Sequence, residues 1–431
     1  MRIQNLEHRT QNKYESRVTR NEKRATGTFA AVMTGAGSGA IATIQIFGAK
    51  AKPVLETIFR PQGDKKTSFK SGDIILGTIN DGERIIDQVT IGCEGKDLFA
   101  VNCHGNPLIT ADITEMLQSH RVIVITSQQL LQKIYCAQGL RTIQIEAGIA
   151  QASAKTIAGT KIILYQTDKG LNKKAQGWLK TLRQANYKFI KRIQKQAGKI
   201  LEDSKTAKIL IDGAKIAITG PPNSGKSTLL NYLAGNVKSI VTDIAGTTLD
   251  YVTCQCRMGS LFAELTDTAG LDRRPRTRLR QDFGGQAEDR GRGTVERIAQ
   301  KRSMEIIGAA DLVLLVLDRS RQTEQLDEKL IKKTAQKKTI TILNKADLPS
   351  KLNIFKLPKE LRNCVTTSAK TGEGIENLVS RIQQKLGVSD FNLRTAVCVT
   401  SRQEKLLKNL IEAQSRQQAV RIITELLNGR L

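Results

Sequence analysis

Two glycines bracket a short run at 220–227, Gly220-Pro-Pro-Asn-Ser-Gly-Lys-Ser. The spacing G-x-x-x-x-G-K-S is chemistry for phosphate. Gly220 and Gly225 permit backbone angles that a side chain forbids. Successive N–H groups, from Asn223, Ser224 and Gly225 through Lys226, Ser227 and Thr228, can then turn inward around an anion, with a helix dipole behind them. Lys226 brings positive charge to β- and γ-phosphates, and Ser227 brings a hydroxyl to Mg²⁺.

Three more motifs follow in the order that GTP chemistry needs. Leu261-Phe-Ala-Glu-Leu-Thr-Asp-Thr-Ala-Gly270 reads as a strand ending in D-T-A-G. Its Asp267 can hold Mg²⁺ through water, and the Gly270 N–H can meet the γ-phosphate. Thr339-Ile-Thr-Ile-Leu-Asn-Lys-Ala-Asp347 ends in N-K-x-D, with Asn344, Lys345 and Asp347. A carboxylate accepts two hydrogen bonds at once, and guanine presents N1–H and its 2-amino group side by side, so Asp347 selects guanine over adenine. Cys364-Val-Thr-Thr-Ser-Ala-Lys370 is the last strand, and the N–H groups of its Ser368, Ala369 and Lys370 loop can face guanine O6.

Between the phosphate loop and Asp267, the stretch Val241-Thr-Asp-Ile-Ala-Gly-Thr-Thr offers a second Mg²⁺ ligand, Thr248, ordered when the γ-phosphate is present. Leu271 follows D-T-A-G, where a water-positioning Gln would stand in Ras-like proteins. Asn223 can instead place a carbonyl oxygen beside the phosphates for a monovalent cation, and K⁺ there would stabilise transition-state charge.

Strands and helices alternate over 212–385, which implies a largely parallel sheet covered on both faces. Strands also dominate 27–101, with a Gly35-x-Gly37-x-Gly39 turn between two of them and a helix over Pro107–Leu117. His104, at a strand end, reads as structural. From about Gln128 the period is helical. Leu171, Ala175, Trp178, Leu182, Ala185, Phe189 and Ile193 form one apolar stripe, read as a single long helix with a basic exterior. That exterior is either solvated or faces RNA. The tail beyond Thr400 carries two further stripes, which predicts short helices packed on the 171–200 helix.

The fold class that results is an α/β P-loop GTPase domain inserted in a helical domain, with an N-terminal α+β domain. The segments are a basic flexible arm over 1–25, the α+β domain over 26–125, helices over 126–207, the G domain over 208–385 and helices again over 386–431. Net charge is +27 on 431 residues, a balance that favours polyanions, nucleic acid ahead of a membrane. No apolar run is long enough to span a bilayer. The Cys254-x-Cys256 pair lacks a second pair to complete a zinc site, so reduced thiols and a cytoplasmic location are expected.

The residues at 220–227, Val241–Thr248, Asp267-Thr-Ala-Gly-Leu and Val295-Glu-Arg-Ile make the chain similar to the MnmE (TrmE) family of tRNA-modification GTPases. Gly39-Ala-Ile-Ala-Thr-Ile-Gln-Ile-Phe-Gly and Cys103-His-Gly105 resemble that family's N-terminal domain. The resemblance implies a folate-binding N-terminal domain that forms a homodimer, K⁺-stimulated turnover of GTP to GDP, and modification of wobble uridine in tRNA with a FAD-dependent partner protein. It also implies that Asn223 contacts K⁺, that the loop from Thr242 to Thr248 caps it, and that Glu296 orients the attacking water. The chain departs from the pattern at Leu249, in an arginine-rich stretch at 272–294, and near 138–154, where the family's Arg-Phe-Asn-Gly stretch is not recognisable; folate is therefore left open. The family's C-terminal Phe-Cys-Ile-Gly-Lys does not appear before Leu431. The alternative reading is a GTP-dependent RNA-binding switch of the ribosome-assembly kind, acting on another RNA without modifying it.

Overall fold

The computed structural model describes residues 27–35, 37–63, 69–184, 188–236, 252–268, 301–322 and 328–429. The N-terminal arm, the segment with Thr242 and Thr248, Gly270, the 272–294 stretch and Glu296 lie outside them. The chain divides into two compact units, Met1–Leu140 and Arg141–Leu431. Among the described residues no helix is long and apolar enough to cross a membrane.

In the first unit β1 (Phe29–Val32), β2 (Ile41–Phe47), β3 (Phe59–Pro61), β4 (Ile74–Asp81), β5 (Arg84–Gly95), β6 (Leu98–His104) and β7 (Ile123–Val124) form one sheet, ordered β3-β4-β5-β6-β2-β1-β7. β1 and β2 pair antiparallel from Phe29 opposite Phe47, so the glycine turn joins paired strands. Alternate residues point to opposite faces. Ile44, Ile46, Val89, Ile91, Phe99 and Val101 therefore share one face, and α1 (Ala51–Ile58) and α2 (Pro107–Ser119) close over it. On the other face, α3 (Ser127–Ala137) sets Leu130 and Ile134 against Ala31. His104 sits at the end of β6, its Nδ1 2.7 Å from Asp87 Oδ1 and its backbone N–H donating to Asp87 Oδ2 at 2.8 Å.

The second unit opens with four helices, α4 (Thr142–Gln151), α5 (Ile157–Asp168), α6 (Leu171–Gln184) and α7 (Lys188–Asp212). Here the sequence expectation of one long helix from 171 fails. Residues 18 apart on a straight helix lie about 27 Å apart, yet Trp178 Nε1 donates to Gln196 Oε1 at 2.7 Å. α6 and α7 are folded back on each other, and the buried stripe changes phase between them. Ile190, Ile193, Ala197 and Ile200 are buried on α7, whereas Phe189 is 39% exposed. The tail forms α11 (Ser401–Ile411) and α12 (Arg416–Asn428), and its Leu406, Leu407, Leu410, Ile423 and Leu426 share a core with Leu171, Trp178, Leu182 and Ile193.

Between these helices in sequence lies a second sheet. It contains β8 (Ala214–Thr219), β9 (Val252–Met258), β10 (Leu261–Asp267), β11 (Leu312–Asp318), β12 (Thr339–Asn344) and β13 (Cys364–Thr366), ordered β13-β12-β11-β8-β10-β9. Every neighbouring pair is parallel except β9 with β10. β11, Leu-Val-Leu-Leu-Val-Leu-Asp, is buried along its whole length, as a central strand covered on both faces must be. The helices of this region include α8 (Lys226–Asn236), α9 (Glu328–Ala335) and α10 (Ile375–Leu386), and residues 301–309 are also helical.

Candidate functional site

The strand order turns back at β8, between β10 on one side and β11 on the other. In an open parallel sheet that reversal leaves a crevice at the carboxyl ends of the strands, where ligands bind. The 220–225 turn leaves β8 at that point and runs into α8. Its backbone takes positive φ at Gly220 (144°), Asn223 (61°) and Gly225 (94°). A Cβ on Gly220 would fall on the Val316 carbonyl oxygen, and one on Gly225 would fall on Asn344 Nδ2. Both glycines are therefore required by close approach as well as by backbone angle. Asn is among the few other residues that tolerate this conformation, and Asn223 is exposed at the tip of the turn.

Lys226 is buried, and its Nζ donates to the carbonyl oxygens of Gly220 at 2.9 Å and Pro221 at 2.8 Å. Ser227 Oγ donates to Asp267 Oδ2 at 2.8 Å, and Asp267 itself is 1% exposed at the end of β10. A hydroxyl beside a buried carboxylate is a donor set for a hard cation such as Mg²⁺. Among the described residues no group of three or more His, Cys, Asp or Glu side chains could hold a metal. Thr268 Oγ1 donates to the Ile218 carbonyl at 3.1 Å, tying D-T-A-G to the strand that precedes the phosphate turn.

Asn344, at the end of β12, bridges two loops. Its Nδ2 donates to Ser224 O at 2.9 Å, and its Oδ1 accepts from the Ala369 N–H at 3.0 Å. The 220–227 turn and the 368–370 loop, distant in sequence, are thus held at a set separation. Ser368, fully buried, donates through Oγ to Asp347 Oδ1 at 2.7 Å. That hydroxyl, followed by a backbone hydrogen bond and the nearby charges of Lys370 and Lys345, holds the Asp347 carboxyl below its ordinary range. Asp347 is exposed, so an ionised carboxylate faces outward with one oxygen anchored. Lys370 is exposed on the same loop, and Thr228 in the first turn of α8.

Sequence reasoning missed Asp318. It ends β11 as Asp267 ends β10, and Lys345 Nζ donates to its Oδ2 at 2.6 Å while the Ser320 N–H and Oγ donate to Oδ1 at 2.9 and 2.6 Å. Burial would push this carboxyl up, but the Lys345 ammonium and the Ser320 donors hold it below the usual range. Lys345 sits at φ 65°, in the left-handed region that few residues other than glycine adopt. The available signal was positional: an all-apolar strand closing on an acid at the ligand-binding end of the sheet.

The 220–227 turn, the Ser227–Asp267 pair and the loops that Asn344 and Ser368 join meet on one largely parallel sheet, the arrangement of a P-loop GTPase. Residues 215–345 match the family described as 50S ribosome-binding GTPase. The chain is 32% identical to the tRNA modification GTPase MnmE of Lactiplantibacillus plantarum over 82% of this chain and 80% of that protein. It is 29% identical to that of Clostridioides difficile over 88% and 86% respectively. Among solved structures, the G domain of a T. maritima FeoB iron transporter is 28% identical, covering 40% of this chain and 98% of that one with a TM-score of 0.29. The chain belongs to the MnmE family of tRNA modification GTPases, and it is a GTP-hydrolysing enzyme.

Proposed function

We propose that GTP lies along the carboxyl ends of β8, β11 and β12, with its phosphates on 220–227 and its base on Asp347, and that its hydrolysis serves modification of tRNA at the wobble uridine. The observation that carries the nucleotide assignment is the Asn344 bridge, which holds the phosphate turn and the base-reading loop in one frame. Lys226 balances β- and γ-phosphate charge, the N–H groups of Asn223 through Thr228 hold their oxygens, and Ser368, Ala369 and Lys370 line the base. Ser227, Asp267 and Thr248 would hold Mg²⁺, which would supply charge neutralisation for the transferring phosphoryl group. Asn223, with Thr242, would hold K⁺, which would supply further positive charge there. Water oriented by Glu296 attacks the γ-phosphorus, the bond to the β–γ bridging oxygen breaks, and GDP and phosphate leave. Gly270 offers its N–H to the γ-phosphate.

The tRNA role is supported by relatives that align over both units rather than over the G domain alone. With it come three further proposals: a homodimer, a FAD-dependent partner protein, and a G domain inserted within one helical domain. The shared core of α6, α7, α11 and α12 supports the last. The free cysteines suit a reducing cytoplasm. Folate is left open, because the family's Arg-Phe-Asn-Gly stretch is not recognisable near 138–154. The description of the matched 215–345 region favours a second reading, an RNA-binding switch in ribosome assembly.

Two measurements test this. Replacing Na⁺ by K⁺ should raise hydrolysis several-fold in the native chain and leave Asn223→Ala unchanged; equal rates of the native chain in both salts remove K⁺. Nucleoside mass spectrometry of tRNA from cells lacking the gene should show unmodified wobble uridine. An unchanged tRNA profile with altered ribosomal-particle sedimentation would select the second reading.

A further inference from the structure

From 169 to 201 the chain has no Asp or Glu, while Lys and Arg recur throughout. The fold then concentrates them. Because α6 and α7 form a hairpin closed by Trp178 and Gln196, the last turns of one helix and the first turns of the next stand at the same end of the bundle. Lys180, Arg183, Lys191, Arg192 and Lys195 are exposed there. Arg416, at the start of α12, donates through Nη2 to the Arg183 carbonyl at 2.8 Å and adds a sixth cation. Glu412, on the loop beside it, subtracts one charge. Among the described residues none of the six cations is in an ion pair, whereas Lys199, one turn beyond Lys195, is already matched by Glu202 and Asp203.

An aromatic ring stands on the same end. Phe189 is 39% exposed because the buried stripe passes through Ile190 instead. Helical spacing puts Arg192 on the same side of α7 as Phe189. Cations spaced along two helices fit a phosphate backbone, and an exposed ring among them fits an unstacked base.

We propose that this end of the helical bundle is an RNA-docking surface, in which the six cations track backbone phosphates and Phe189 stacks on an unpaired base. It rests on the tRNA role proposed above and names the surface that role uses. The surface lies on helices outside the nucleotide site, so its residues do not touch GTP. RNA is favoured over an anionic membrane because a single ring among six cations gives little apolar surface to insert, while it suffices to stack one base.

The test uses the full chain and an in vitro transcribed tRNA with uridine at the wobble position, with binding measured between 50 and 200 mM salt. The triple variant Lys180→Ala, Lys191→Ala and Lys195→Ala should weaken binding at least about tenfold and flatten the log–log salt slope by roughly two to three, since each of the three phosphate contacts contributes about 0.7–0.9. GTP hydrolysis without RNA should be unchanged. Phe189→Ala should weaken binding of the tRNA and leave binding of a fully paired RNA duplex as it was. Native affinity and slope in the triple variant, while the native chain binds tRNA, would overturn this surface and leave the tRNA role standing. A native chain that binds no tRNA at any of these salts overturns both. Loss of binding to phosphatidylserine vesicles in the triple variant, with tRNA binding intact, would assign the patch to a membrane and overturn the RNA proposal.

Discussion

Asn344 is the side chain on which the geometry of the nucleotide site most depends. It gives one amide atom to each of two loops, and both partners are backbone groups. Truncating it leaves a buried acceptor and a buried donor without replacement, at about 1–3 kcal/mol each. Asn344→Ala should therefore lower the unfolding free energy by about 2 kcal/mol or more and weaken GTP binding; urea unfolding and GTP titration report the two effects, and a loss near zero in both would remove the bridge. Ser368 acts on charge instead. Its hydroxyl is the leading cause of the lowered Asp347 carboxyl. A lowered carboxyl contributes stabilisation that is present above the ordinary carboxylate value, about 4, and is lost as pH falls through the lowered one. Ser368→Ala should move the Asp347 titration upward toward that ordinary value, read by the carboxyl carbon shift in NMR. An unmoved titration would assign the shift to the backbone hydrogen bond and to Lys370 and Lys345. These residues were legible in the sequence because each motif is a short spacing on one strand and its loop. Asp318 was not, because its partner Lys345 lies 27 positions away and an acid that closes an apolar strand does not by itself show what it pairs with.

At the scale of elements, the helices around the G domain are fastened by buried polar groups as well as by leucines. Glu146 on α4 is 4% exposed and accepts from Arg402 Nε at 2.7 Å, Gln403 Nε2 at 2.7 Å and Thr400 Oγ1 at 2.8 Å, all at the start of α11. Arg402 reaches on to the carbonyls of Glu425 and Leu426 at the end of α12. One guanidinium thus joins three helices. Removing one partner of a buried pair strands the other charge, at about 3–5 kcal/mol. Arg402→Ala should cost about 3 kcal/mol in unfolding free energy, and a chemical-denaturation midpoint within error of the native one would show that water replaces it. None of this was readable in advance, since the partners lie 256 residues apart and Glu146 looks like any helix-surface acid. The 171–212 hairpin escaped for a different reason. Apolar residues continue at three- and four-residue spacing across 185–189, so periodicity alone runs the helix straight through. The parallel sheet was legible because strand and helix patterns alternate along 212–385, and that alternation admits few topologies.

At the scale of the molecule, the two compact units have separate cores. One is built on Ile44, Ile91, Phe99 and Leu117, and the other on the β8–β13 sheet and the helices that follow and precede it. Ligand binding stabilises only the cooperative unit that contains the site. GTP with Mg²⁺ at 100 times its dissociation constant adds about 2.7 kcal/mol to a unit that binds it folded and not unfolded. In scanning calorimetry the full chain should show more than one transition. Nucleotide should raise the transition of the 141–431 unit by about 2–4 °C for each kcal/mol of binding and leave the transition of the first unit in place. Tryptophan fluorescence can assign the transitions, because Trp178, the sole tryptophan, lies in the core of the second unit. If both transitions rise together with GTP, the units unfold as one cooperative body. Nucleotide occupancy would then reach the first unit's sheet through folding free energy as well as through any change of shape.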